Sequence, residues 1–447
     1  MRSRLTTLLV LAMPMVLARA SQSVITFADA IQVKDLGPGA IAATATGGLN
    51  VYAFVILPMG MAFIIQSFVA QLMGRGRSAD APRFAWYGLA LALVAGLVAL
   101  ALIPLVEPAL SLTDYSPPVR HAMAQYMAIR MTSVAAIVGV EALGNWFGGL
   151  GNTWMQMIAG LITMAAAVFL NWVLIGGHLG APAMGVNGAA LASTIASWLG
   201  FVFILVAFLP RRRGRGNLSL GELRRVIRFG LPNGLNWFLE FAAFQIFVNV
   251  VMARLGDETV AALNVVLAVN SIAFMPAFGL ASAGAILAGQ AIGAGHRDQV
   301  WPSMKLTLAV MLSWMIAIAA CYLLESHLVL GWFAPAGAAG DRLIHLGADM
   351  LVISALWQIF DGPGMALSET LRAAGDTAWP AAARIVLAWL VFVPSAYVTV
   401  RYAGGGALGA MGCVVAYIAL LAIALGIRFR SGAWRRIELI EPDLVAQ

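Results

Sequence analysis

Apolar runs bounded by glycine, proline or charge divide the chain into twelve segments, near 6–32, 46–72, 84–110, 120–146, 154–176, 185–209, 226–253, 263–290, 303–332, 344–370, 379–401 and 407–429. Each is long enough to cross a bilayer, whose hydrocarbon core needs roughly 20 apolar residues per helix. The pattern predicts an all-α polytopic membrane protein. The first segment also has the outline of a cleavable leader: a basic start, an apolar middle and Ala18-Arg19-Ala20 before Ser21. Its apolar run resumes through Val24, Ile25 and Phe27, however, and it has a counterpart later in the chain, so it reads as a span.

The longest polar stretch, 210–225, follows the sixth segment, and the pieces on either side match. Leu36-Gly37 corresponds to Leu255-Gly256, Ala42-Ala43 to Ala261-Ala262, Gly60 to Gly279, Gln71 to Gln290, Gly74 to Gly293 and Gly76 to Gly295, all at a separation of 219. Pro14 corresponds to Pro232, Gly151-Asn152-Thr153 echoes Gly375-Asp376-Thr377, and Gly185 and Gly188 echo Gly406 and Gly409. One shared glycine would mean nothing; a register kept over some forty residues indicates duplication. With six helices in each half, both halves enter from the same side and are related by a pseudo-two-fold axis along the membrane normal. The expectation is two six-helix lobes, 1–215 ending in a basic cytoplasmic linker and 216–447 ending in a short cytoplasmic tail. Parallel repeats of this kind place a cavity between lobes, and rocking them alternates its access.

Composition narrows the class further. Of 447 residues, 61% are hydrophobic and 11% charged, which excludes a soluble enzyme and a disordered chain. Cys321 and Cys413 lie in apolar runs and form no CxxC pair, and the five histidines are scattered, so no metal or haem framework is indicated. The net charge of +7 gathers at segment ends, above all Arg211, Arg212, Arg213 and Arg215. About 20 Lys and Arg fall on one side against about 5 on the other, the positive-inside bias, and both termini are expected in the cytoplasm. Nothing is left over for a nucleic-acid surface.

Against this background Asp29, Glu240 and Asp361 are conspicuous, because a carboxylate at membrane depth costs about 2.5 kcal/mol or more. Arg19, Gln22, Thr26 and Asp29 share one face of the first helix, and Asn233, Asn236 and Glu240 repeat the design after Pro232. Trp357 and Asp361 lie one turn apart, followed by Gly362-Pro363-Gly364, a sequence expected to kink or unwind its helix and free carbonyl oxygens; it reads equally well as a packing kink. Carboxylates with free carbonyls suit Na⁺, and a protonatable carboxylate alone suffices for H⁺. Depth by helical rise is about 20 Å for Glu240 and about 14 Å for Asp361, so the two can share a site. Arg130 and Glu141 can each pair with a neighbouring helix, Glu107, Glu325 and Asp349 reach water, and Glu369 and Arg384 read as structural residues near inner helix ends. No Ser/His, paired-Asp or HExxH constellation appears, so an enzyme is not expected.

Taken together, Pro14…Gln22-Ser23…Asp29, Leu36-Gly37, Pro232 with Glu240, Gln358-Ile359-Phe360-Asp361, Leu371-Arg372-Ala373-Ala374-Gly375-Asp376-Thr377, Asn171 and Gly185…Gly188-Ala189-Ala190 resemble the multidrug and toxic compound extrusion (MATE) family, in its bacterial NorM-like branch, over essentially the whole chain. The resemblance implies an antiporter of the bacterial inner membrane that exports amphipathic, mainly cationic small molecules in exchange for H⁺ or Na⁺. It implies a cation-coupling set of Glu240 and Asp361 in the C-lobe, where Na⁺ would bind, and Asp29 in the N-lobe. Gln22, Thr26, Asn171, Asn236 and Trp357 become candidate cavity residues. Three departures stand out: Trp357 where a tyrosine is usual, Ala167 where an asparagine is common, and Arg19 in place of an amide. Loss of the tyrosine oxygen favours H⁺ over Na⁺ as the coupling ion. No cofactor is expected, and the partners are organic cations and the bilayer, with the protein a monomer. The alternative is a flippase for a lipid-linked precursor in the same broader superfamily, a function that calls for a strongly basic cavity.

Overall fold

A computed structural model describes residues 2–33, 36–113, 115–212, 217–331 and 338–440, without the side chains of 2–3, 22–24, 26–30, 38 and 338–339. Its helices are α1 (Arg2–Val33), α2 (Pro38–Ala62), α3 (Ile64–Gly74), α4 (Pro82–Leu110), α5 (Pro117–Met131), α6 (Val134–Gly149), α7 (Trp154–Gly176), α8 (Gly185–Phe208), α9 (Leu220–Ile246), α10 (Asp257–Gly293), α11 (Val300–Gly331), α12 (Ala338–Ala373), α13 (Ala378–Val386), α14 (Val393–Arg401) and α15 (Gly406–Arg430). Among the described residues, eleven stretches are long and apolar enough to cross a membrane, and the pair α5–α6, bent by 43°, makes a twelfth. The fold is that of an all-α multipass membrane protein.

The helices reach beyond the apolar runs that announce them. α9 and α10 each begin six residues early, at Leu220 and Asp257, because a helix can continue through polar turns once it leaves hydrocarbon. Several spans are interrupted, among them the second, fourth and eleventh. The second breaks at Phe63 between α2 and α3. The fourth bends where Thr132 and Ser133 donate their hydroxyls to the carbonyls of Ile129 and Arg130, at 2.6 and 2.7 Å, a local competition that disturbs helical geometry. The eleventh carries a π-helical turn, Leu387–Phe392, between α13 and α14. By contrast, Gly362-Pro363-Gly364 does not unwind its helix as the sequence suggested: α12 runs unbroken through Pro363. Met311 and Met315 pack beside Gly362 and hold that stretch in place, so the one backbone bond lost at Pro363 is tolerated.

The repeated glycines recur in repeated backbone shapes. Gly37 and Gly256 have φ of 94° and 100°, Gly76 and Gly295 71° and 81°, Gly151 and Gly375 83° and 86°, Gly185 and Gly406 53° and 56°. At Gly37 and Gly256 ψ is also extended, 170° and 161°, a combination open essentially to glycine alone. It turns the chain sharply into α2 and into α10.

Two compact units emerge, one of Leu17–Gly234 and one of Met1–Val16 with Leu235–Pro442. The changeovers come two residues after Pro14 and two residues after Pro232. The units therefore differ from the lobes read off the repeat, 1–215 and 216–447, by the opening stretches of α1 and α9. In the first unit, the start of α9 is tied down by Glu222, which accepts a 2.8 Å hydrogen bond from the Tyr87 hydroxyl and lies 3.3 Å from Arg83. Asn233 donates to the Gly60 carbonyl at 2.6 Å, and a Cβ on Gly60 would fall 2.9 Å from the Gly234 backbone. The second unit repeats this crossing: a Cβ on Gly279 would fall 2.9 Å from the Val16 nitrogen. Gly60 and Gly279 are thus repeated because each lets a helix cross at backbone distance, the usual means of packing helices in lipid.

Inside the first unit, α7 packs on α8 and α4 on α6, and one ion pair joins α1 to α6. Arg19 donates through Nη1 and Nη2 to the two oxygens of Glu141, each at 3.0 Å, with both side chains buried. The guanidinium also lies 5.3 Å from the Phe63 ring centroid. Arg19 is therefore not the isolated positive charge that its place on the stripe suggested. In the second unit α12 is central, packing on α10, α11 and α15 around a core that includes Phe247, Trp357, Phe392 and Tyr417.

Two stability predictions follow from this packing. Gly188 of α8 sits where an added Cβ would meet the Leu174 carbonyl oxygen at 2.5 Å, whereas Gly412 of α15 faces open space. Gly188→Ala should cost about 1–3 kcal/mol, and Gly412→Ala should be neutral or stabilising by up to about 1 kcal/mol, read as thermal melts in one detergent. Arg19→Met leaves Glu141 buried without its counter-charge and should cost about 3–5 kcal/mol, while Arg19→Met/Glu141→Leu should recover most of that loss. Equal melting temperatures for the single and double variants would show that the pair carries no such coupling.

Candidate functional site

The second unit assembles a charged cluster from four helices. α9 brings Glu240 two turns beyond Pro232, α12 brings Asp361, α13 brings Arg384 and α15 brings Tyr417. Arg384 Nη1 donates to both carboxylate oxygens of Glu240, at 2.8 and 2.6 Å, and the Tyr417 hydroxyl donates to Oε1 at 3.0 Å. Tyr417 is held in position by stacking on Phe392, at 5.2 Å between centroids and 22° between planes. Phe392 closes the π-helical turn, and from the same turn Trp389 donates to the Leu239 carbonyl at 3.1 Å, next to Glu240. The extra residue in that turn thus aims two aromatic side chains at one stretch of α9, in keeping with the frequent use of such bulges at functional sites.

Asp361 belongs to this cluster electrostatically, within range of the charges on Arg384 and Glu240. It is half-buried and makes no hydrogen bond or ion pair among the described residues. One turn earlier on the same helix, Trp357 is buried in the core. Gln358 donates to Asn270 Oδ1 at 2.6 Å, and Asn270 donates to Ser354 at 3.1 Å, which fixes α10 against α12. Asn236, one turn before Glu240, is buried with no hydrogen-bond partner for Oδ1. The structure therefore brings Glu240 and Asp361 into one neighbourhood, with Arg384 between them in charge. No three His, Cys, Asp or Glu side chains converge as a metal-binding group among the described residues.

The N-lobe candidates are less complete. Gln22, Thr26 and Asp29 lie on the α1 backbone, but their side chains fall outside the described residues. Asn171 is fully buried on α7. A groove of about 520 Å³ is lined by Gln32, Met164, Ala165, Val168, Phe169 and Trp172, none of them a residue the sequence singled out.

Two participants were missed in the sequence. Tyr417 carries no local signal, since a tyrosine in an apolar helix is ordinary core. Arg384 reads as a helix-end residue because Pro380 and Trp379 precede it, yet it is followed by an apolar run through Leu390. An arginine followed so closely by apolar sequence needs a carboxylate partner, and that is the signal that could have found it.

This arrangement has relatives. The MatE family model matches residues 14–173 and 235–398. The multidrug resistance protein NorM of Burkholderia vietnamiensis is 26% identical over 429 residues, covering 94% of this chain and 92% of that one. The protein of the same description from Aliivibrio fischeri is 27% identical over 404 residues, 88% of this chain and 86% of that one. Among solved structures, a MOP superfamily transporter from Pyrococcus furiosus superposes with a TM-score of 0.88 at 20% identity, over 97% of each chain. An outward-facing multidrug resistance MATE family transporter superposes with a TM-score of 0.87 at 20% identity, again over 97% of each chain. Two matched stretches, one in each half, account for most of the sequence, and this chain belongs to the MatE family.

Proposed function

We propose that the protein is a secondary active antiporter of the bacterial inner membrane, with both termini cytoplasmic. It exports amphipathic, mainly cationic small molecules as a monomer in exchange for H⁺. Membership of the MatE family and likeness to proteins called NorM support drug export. The observation that carries the coupling reading is Asp361. Arg19 is neutralised by Glu141 and Glu240 by Arg384, while Asp361 lies in an apolar span with no ion pair among the described residues. A single carboxylate is all that a proton needs. Its protonation removes one negative charge from the cluster, and an organic cation favours the same carboxylate ionised. Ion and substrate thus stabilise different states of one site, which is the condition for exchange. The membrane potential adds roughly 2.3 kcal/mol per elementary charge per 100 mV. The same pairing argues against a flippase for a diphosphate-bearing lipid, because Arg19 and Arg384 are each already held by a carboxylate.

Asp361→Asn keeps the shape of the side chain and loses the exchangeable proton. It should abolish ion-coupled efflux in everted vesicles while leaving the melting temperature close to wild type. Efflux at the wild-type rate would dismiss Asp361 as the coupling residue. In liposomes with separately imposed gradients, ΔpH should drive export of ethidium or a fluoroquinolone. Export driven by Na⁺ at fixed pH, and not by ΔpH, would reverse the choice of ion.

A further inference from the structure

We infer that Arg384 is a tethered cation that occupies the seat a coupling metal ion would take at Glu240 and so excludes Na⁺ from this site. The inference rests on the antiporter reading for its meaning but on geometry for its content. Two carboxylates of one cluster, Glu240 on α9 and Asp361 on α12, would together carry two negative charges in a low-dielectric setting, where unlike charges attract far more strongly than in water. A bare pair of that kind recruits a cation from solution. Here the cation comes from the chain itself. A single guanidinium nitrogen of Arg384 contacts both oxygens of Glu240, and the Tyr417 hydroxyl takes a further position on Oε1.

The donor set that remains is poor for a metal. Sodium requires several oxygens around it, and the positions that could supply them are otherwise engaged. Tyr417 turns its hydroxyl hydrogen towards Glu240. Trp357 presents an indole, buried in the core, one turn from Asp361. α12 stays helical through Gly362-Pro363-Gly364, so no unwound run of carbonyls faces the cluster. A guanidinium close by would also repel any arriving metal ion. The formal charge of Glu240, Arg384 and Asp361 taken together is −1, which one proton balances. With Arg384 neutral it becomes −2, which leaves room for a metal ion.

The test is binding of ²²Na⁺ to purified full-length protein in detergent, with no drug present, so that it reads the site whether or not the protein exports drugs. Wild type should bind no Na⁺ that depends on Glu240. Arg384→Gln should gain saturable Na⁺ binding, about tenfold or more above wild type. Arg384→Gln/Glu240→Gln should lose that gain. Arg384→Lys keeps the charge and should stay close to wild type, which separates charge from shape. Saturable Na⁺ binding by wild type that disappears in Glu240→Gln would overturn the inference. So would a monodisperse Arg384→Gln that gains no Na⁺. If Arg384→Gln fails to fold, the comparison of wild type with Glu240→Gln decides alone. A failure of drug export in the liposome assay, with these binding results intact, would strike the antiporter reading and leave the tethered cation standing.

Discussion

Charge inside hydrocarbon is the constraint around which these helices are organised. A lone Arg or Asp at the centre of a span costs about 2.5–3.5 kcal/mol by insertion scales, and removing one partner of a buried pair costs about 3–5 kcal/mol. Each unit meets that constraint with one guanidinium–carboxylate pair between a span that opens a repeat and a later helix: Arg19 with Glu141, and Glu240 with Arg384. The two pairs are not copies. The base lies on the opening helix in one unit and the acid lies there in the other, and the pairs differ in geometry. Arg19 uses two nitrogens in a fork, whereas Arg384 uses one nitrogen and leaves a carboxylate oxygen to share with Tyr417. The fork suits a fixed tie, since bidentate pairs are the strong and directional ones. The single-nitrogen contact leaves the other donors of Arg384 without a bond to Glu240.

Backbone and side chains of the two halves therefore follow different rules. The paired glycines keep nearly the same φ in both halves, and Gly60 and Gly279 serve the same kind of backbone crossing. That scaffold is constrained, because a Cβ on Gly60 or Gly279 would meet backbone and the other pairs hold a positive φ. The charged positions differ between the halves. The result is a fixed Arg19–Glu141 tie in one unit and, in the other, a Glu240–Arg384 pair beside Asp361, a carboxylate with no ion pair among the described residues.

How much of this was legible depended on how local each cause is. Hydrophobic length and the glycine register are properties of contiguous sequence, so the spans and the duplication were readable. Helix ends were less so: hydropathy marks the hydrocarbon, while α9 and α10 continue for six more residues beyond it. Gly362-Pro363-Gly364 looked like an unwound segment because its propensities are poor, yet packing by Met311 and Met315 keeps α12 intact. The acids were visible as misfits in apolar runs. Their partners were not, because Glu240 finds Arg384 144 residues away and Tyr417 177 residues away. Only the fold brings those residues together.

The same distinction bears on what a substitution near the cluster means. Trp357 in place of an oxygen-bearing aromatic looks, in the sequence, like the loss of a ligand. In the structure the phenol oxygen at Glu240 comes from Tyr417 on another helix, and the positive charge comes from Arg384. The cluster thus has a phenol oxygen and a cation at Glu240, with Trp357 one turn from Asp361 along α12. With Arg384 counted, the formal charge of Glu240 and Asp361 falls in magnitude from −2 to −1, and the hydrogen-bond donors at Glu240 are supplied by the chain, the arrangement on which the proposed proton exchange rests.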